Sequence, residues 1–147
     1  MRPDTSRTLQ GVAMNLLTNV MAEARTPFGQ QTVGIAATLS LWLAEEAERG
    51  ADRLVTENRV VRELLEEGLS LAGEARPRVE AALATPVASN YLVSTLQTEN
   101  DGLRAGLIAL HAAVEANPAA EAQAFNERIW AELIESTRRR EFKTRLG

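Results

Sequence analysis

Between Thr26 and Ala72 small and apolar side chains recur at alternating steps of four and three: Val33, Ala37, Ser40, Ala44, Ala47, Ala51, Leu54, Asn58, Val61, Leu65, Gly68 and Ala72. This heptad-like spacing keeps one seam of a helix facing one partner over its whole length. It predicts a single long helix, with Thr26 as cap and Pro27 at the first position, where a missing N–H costs nothing. Gly50 lies inside, but one interior glycine costs only about 1 kcal/mol relative to alanine, and the stripe crosses it in phase. The first half, Thr26 to Ala44, carries no charge and is expected to be enclosed, with Leu39, Trp42 and Leu43 flanking a seam of small residues. The second half, studded with Glu and Arg around Leu54, Val61, Leu65 and Leu69, is expected to be half exposed.

The stripe Leu9, Val12, Ala13, Leu16, Leu17, Val20, Met21 and Ala24 predicts an amphipathic first helix, capped by Asp4 or Ser6 and ending before Pro27. Gly73 is a good end for the long helix, and Pro77 starts a short connector through Ala84. Thr85-Pro86 repeats the Thr-Pro start and predicts a third main helix toward Glu115, with the stripe Val93, Leu96, Asn100, Leu103, Leu107, Leu110 and Val114. Asn100-Asp101-Gly102 is a turn signal inside it, although the stripe keeps phase. Asn117-Pro118 is expected to cap a last helix running to about Phe142, with Ala122, Phe125, Ile129 and Leu133 on its apolar face and Trp130 and Ile134 beside it. The fold expected is all-α: an antiparallel helical bundle of four main helices, with one very long second helix and a short connector, forming one domain over residues 1–147.

Length adds a consequence. Forty-odd helical residues rising 1.5 Å each span roughly 65 Å, whereas a compact domain of this size is about 40 Å across. A helix that protrudes with an apolar seam needs a second chain to bury it, which predicts a homodimer through the long helix.

Two segments of the chain echo each other at an offset of 42. Leu54-Val-Thr-Glu-Asn-Arg-Val-Val-Arg-Glu-Leu-Leu65 and Leu96-Gln-Thr-Glu-Asn-Asp-Gly-Leu-Arg-Ala-Gly-Leu107 are identical at six of twelve positions. In each, the Asn (Asn58, Asn100) falls on the apolar seam and the Arg (Arg62, Arg104) one turn further along. One reading pairs Asn58 with Asn100, or with a symmetry mate, to set helix register. The other makes Asn58, Arg62, Asn100 and Arg104 a polar pocket whose guanidinium groups hold a carboxylate or phosphate.

Composition narrows the function classes. A 45% hydrophobic, 24% charged chain of 147 residues is that of a folded protein. It has no cysteine, which removes disulfides and thiolate metal sites. Thr8 to Ala22 is interrupted by Gln10, Asn15, Thr18 and Asn19, unlike a signal peptide, and Thr26 to Ala44 is too polar to span a bilayer, so a cytoplasmic protein without membrane contact is expected. A net charge of −4 argues against nucleic-acid binding. The local exception is Arg138, Arg139, Arg140, Lys143 and Arg145, which fit an acidic-partner or nucleic-acid tail or, more plainly, cations at the negative end of a helix.

No catalytic, cofactor or metal site is expected. His111 is the one histidine, with Glu115 one turn on as a surface partner, and Ile108 stands where the Glu of a Glu-x-x-His motif would be needed. There is no strained nucleophile turn, phosphate loop or dinucleotide fingerprint. Glu45 with Glu46 and Glu66 with Glu67 point about 100° apart on a helix and mark solvated faces. Trp42, Phe28, Met14 and Met21 are expected to fill the core, the alternative being an apolar cavity between helices. With its Glu-Asn-x-x-Leu-Arg-like segments, its Val61-Arg62 and Leu103-Arg104 pairs and Ile129-Trp130 in the last helix, the chain resembles over most of its length small all-helical bacterial proteins without assigned function. That resemblance carries no catalytic residues. The expected function is a non-catalytic homodimeric interaction or accessory protein, with another protein as a further partner; the alternative is a bundle binding an anionic or acyl-type small molecule.

Overall fold

Thr26 Oγ1 accepts the Gly29 N–H at 3.0 Å, and from there one helix, Pro27–Gly68, runs through Gly50 without a break, as the phase of the stripe requires. The computed structural model describes residues 4–144, 84% of them helical with no strand, so the fold is all-α. In chain order the elements are α1 (Thr5–Asn15), a π-helical turn (Leu16–Val20), α2 (Met21–Glu23), α3 (Pro27–Gly68), 3-10 turns at Leu69–Leu71 and Gly73–Ala75, α4 (Arg76–Leu83), α5 (Val93–Glu115) and α6 (Ala120–Arg140). They form two compact units, Met1–Gly50 with Phe142–Gly147 and Ala51–Glu141. Among the described residues no helix is long and apolar enough to cross a membrane.

In the first unit Asp4 caps α1 by accepting the Arg7 N–H at 3.0 Å. Among the described residues its buried hydrophobics are all alanines: Ala13, Ala37 and Ala44. Gly34 is approached by the Met21 methyl, 3.8 Å from where a Cβ would stand. The large side chains lie elsewhere. Phe28, Ile35, Leu39 and Leu43 are 79%, 53%, 49% and 56% exposed, and Met14 is 56% exposed. The expectation of an enclosed first half, with Phe28 and Met14 in a core, is therefore corrected. At 100° per residue Ala37 and Ala44 lie about 180° and 160° around the helix from Phe28, so burying the seam turns the bulky stripe outward.

The core belongs to the second unit. Val61, Leu64 and Leu65 of α3 meet Val79 and Ala82 of α4, Leu103, Leu107, Leu110 and Val114 of α5, and Ala122, Phe125 and Ile129 of α6. The α5 and α6 residues, with Val61 and Leu65, belong to the stripes read from the sequence; Leu64, Val79 and Ala82 do not. Glycines mark the closest approaches: a Cβ on Gly68 would stand 2.6 Å from Leu110 and Phe125 side-chain atoms, and one on Gly106 would overlap the Ala82 methyl. Gly73 ends the α3 region at φ +49°, a conformation without steric cost for glycine.

Two helix starts differ from expectation. Thr85-Pro86 starts no helix; residues 84–92 are irregular, and α5 begins at Val93. The backbone there is satisfied by side chains instead: Arg62 donates to the Leu83 and Thr85 carbonyls at 2.9 and 3.1 Å, and Glu99 accepts the Ala88 N–H at 2.9 Å. α6 begins at Ala120, after Asn117 Oδ1 accepts the Ala119 N–H in a local turn, and ends at Arg140. The Asn100-Asp101-Gly102 signal breaks nothing, because the Asn100 side chain is engaged by a partner on α3 rather than by its own backbone.

Candidate functional site

The four residues of the echoed segments meet in the second unit, each bringing along the glutamate that precedes its Asn. Asn100 Nδ2 donates to Asn58 Oδ1 at 2.8 Å. Arg62 Nη2 donates to Glu99 at 2.9 Å, and Arg104 forms the matching pair with Glu57. Each Glu thus holds the Arg of the other copy. Because the earlier Glu of each segment pairs with the later Arg of the other, the two segments run in opposite directions about a local two-fold relation.

The chemistry departs from that two-fold at its centre, since two amides facing each other cannot both donate along one hydrogen bond. Asn58 accepts from Asn100 and sends its own Nδ2 to the Leu96 carbonyl at 3.0 Å and to Glu99 at 3.3 Å. Asn100 Oδ1 is buried with no hydrogen-bond partner among the described residues. The flanks differ too. Glu57, 1% exposed, also accepts from Ser136 Oγ at 2.8 Å and from Arg140 at 2.8 and 2.9 Å, whereas Glu99 takes the Ala88 N–H.

Burial pushes the Glu57 carboxyl up, but the hydrogen bonds of Arg140 and Ser136 and the charges of Arg140 and Arg104 more than offset it, holding the group below its ordinary range. Glu99 follows the same balance: burial raises it, and the Ala88 N–H, Arg62 and Asn58 bring it below. Both are carboxylates at neutral pH. The guanidinium groups of Arg62 and Arg104 are accordingly engaged by carboxylates of the chain itself.

Glu57 and Glu99 were legible as identical positions of the echo, immediately before each Asn. Ser136 and Arg140 carried no such signal, because they reach Glu57 across 79 and 83 residues of chain.

Beside the Arg62–Glu99 pair lies a cleft of about 400 Å³ between α3, the first turn of α5 and the strap 85–92. Asn58, Leu96 and Glu99 form its buried wall; Val87 and Tyr91, 69% and 79% exposed, stand on the strap. Asn100 and Arg104 do not line it.

Three of the basic C-terminal residues are tied to acids. Arg138 pairs with Glu135 at 3.5 Å, Arg139 with Glu132, and Arg140 with Glu57; Arg145 lies outside the described residues. Burial raises Glu132, Arg139 opposes, and Glu57 and Glu135 add to the rise, which leaves it above the ordinary range. In the first unit Glu45 accepts the N–H groups of Lys143 and Thr144 at 2.8 and 2.6 Å, while Trp42 stacks on Phe142 at 5.2 Å and donates to the Thr144 carbonyl. His111 stands 3.7 Å from Glu115 and edge-on to Trp130 at 5.1 Å. Among the described residues no three potential ligand side chains are grouped to hold a metal. No family model, curated protein or solved structure matches the chain.

Proposed function

We propose that this protein is a non-catalytic interaction or accessory protein of the cytoplasm. In this reading four main helices form an antiparallel bundle that self-associates through the first half of α3. The observation that carries the reading is the outward stripe Phe28, Ile35, Leu39 and Leu43, large apolar side chains on one face of a helix that has no charge from Thr26 to Ala44. Soluble monomers rarely leave such a stripe open. A second copy is the fitting occupant, because two uncharged faces meet without like-charge cost and offer the same residues to each other across a two-fold axis. Val12 and Val20 on the preceding helical segments, 45% and 40% exposed, add apolar surface in the same unit. The Glu-Asn-Arg network supports a structural role in this reading, since its carboxylates and guanidinium groups are spent on one another.

Native mass spectrometry or light scattering after size exclusion tests it. The wild-type chain should run as a dimer at micromolar concentration, and Ile35→Glu with Leu39→Glu should give a monomer of unchanged helicity. A wild-type monomer, or a dimer indifferent to both substitutions, would overturn the reading.

A further inference from the structure

We infer that the cleft between α3, the first turn of α5 and the strap 85–92 binds a small amphipathic carboxylate, its tail against Val55, Leu96 and Tyr91 and its head at Arg59. At about 400 Å³ the space falls within the roughly 300–1,000 Å³ of small-molecule sites. Its buried polar wall is engaged within the chain: Glu99 takes Arg62, Asn58 and the Ala88 N–H, and Arg62 also serves the Leu83 and Thr85 carbonyls. A polar group driven to that depth would compete with these contacts, so the deep part of the ligand is apolar. Val55, Leu96, Val87 and Tyr91 supply the matching surface.

The rim decides the charge. Among the cleft's lining residues Arg59 and Arg62 are cationic and Glu99 is anionic, leaving one guanidinium in excess. Arg59 is paired with Glu63 on its own helix, with side chains 63% and 51% exposed. A pair this exposed is worth little and exchanges readily for a ligand carboxylate held bidentately. The strap is anchored at Thr85 and Ala88, whereas its far end is shaped by its own Asn90–Leu92 turn, which sets the exposed Tyr91 at the edge of the cleft beside the tail. The site thus takes Asn58 and Arg62 from the echoed segments and replaces Asn100 and Arg104 with Arg59.

Calorimetric titration of the full chain with octanoate, octanol and octylamine tests the inference. Octanoate should bind saturably, one per chain, and octanol about tenfold more weakly, the loss expected for one charge-assisted contact. Octylamine should give no heat. Arg59→Gln should weaken octanoate by about the same factor and leave octanol unchanged, and Val87→Asp should abolish both; each is a surface change expected to leave thermal melting unaltered. Absence of octanoate binding, equal binding of octanoate and octanol, or octanoate binding indifferent to both substitutions would overturn the inference. The Ile35→Glu and Leu39→Glu variants should bind octanoate as the wild type does, so this result stands apart from the dimer test.

Discussion

Asn100 donates to Asn58 across 2.8 Å, joining two residues 42 positions apart that hold the same place in a repeated Thr-Glu-Asn segment. Both are buried in otherwise apolar seams, where Asn100 Nδ2 has its acceptor in Asn58 Oδ1 and Asn58 Nδ2 is held by the Leu96 carbonyl and Glu99. The pair also specifies register. A shift of either helix by one turn would leave two amides facing leucines and separate both Glu–Arg pairs at once.

Asn58→Leu removes the partner of Asn100 and a donor to Glu99, and should cost about 1–3 kcal/mol in urea unfolding, the range for orphaned buried polar groups. Asn58→Leu with Asn100→Leu should be less destabilising than the sum of the single changes by about 1–2 kcal/mol, because no amide is then left unpaired. Strict additivity would count against the pairing as the source of the cost.

Acid should weaken the second unit through Glu57 and Glu99. Both have folded-state pKa values below the ordinary one, so the unfolded chain binds more protons between the two values. Their contribution to stability is complete above the unfolded value of about pH 4.3 and is lost as pH falls through the folded values. Glu132 has the opposite sign: its raised pKa favours the folded state below the ordinary value and is a cost as pH rises above it. The urea midpoint of the wild type should therefore drop with acid below about pH 5, and Glu57→Gln with Glu99→Gln should flatten that slope while lowering the neutral-pH midpoint. An unchanged slope would mean that the acid response comes from other carboxyls.

Glycines separate packing from propensity. Gly106→Ala would press a methyl group onto Ala82 on α4 and should destabilise by about 1–3 kcal/mol despite alanine's better helix propensity. Gly11→Ala, on exposed α1 with nothing within 4 Å of the new methyl, should stabilise by about 0.5–1 kcal/mol. Thermal unfolding of the two variants checks both signs.

Helical character was legible because it is local. Every third or fourth position of α3 and α5 repeats its polarity, and a 3.6-residue period converts that directly into a face. So the unbroken run through Gly50 and the buried stripe from Leu96 to Val114 could be read before any packing was known. The false start at Thr85-Pro86 shows the limit: Thr-Pro is a valid local signal, but Arg62 and Glu99 claim the surrounding backbone groups from other helices. The echo likewise presented both Asn residues, both Arg residues and both Glu residues, without stating that the Glu of one copy belongs to the Arg of the other.

Residue order alone thus determined the all-α class, the great length of α3 and the seams that α3, α5 and α6 turn toward the core, since periodicity acts over a few residues. Only the tertiary structure decided that the uncharged half of α3 shows its large side chains, and that Ser136 and Arg140 complete the shell around Glu57. A helix presents several faces, and which one is covered depends on what packs against it, often from residues distant in the chain.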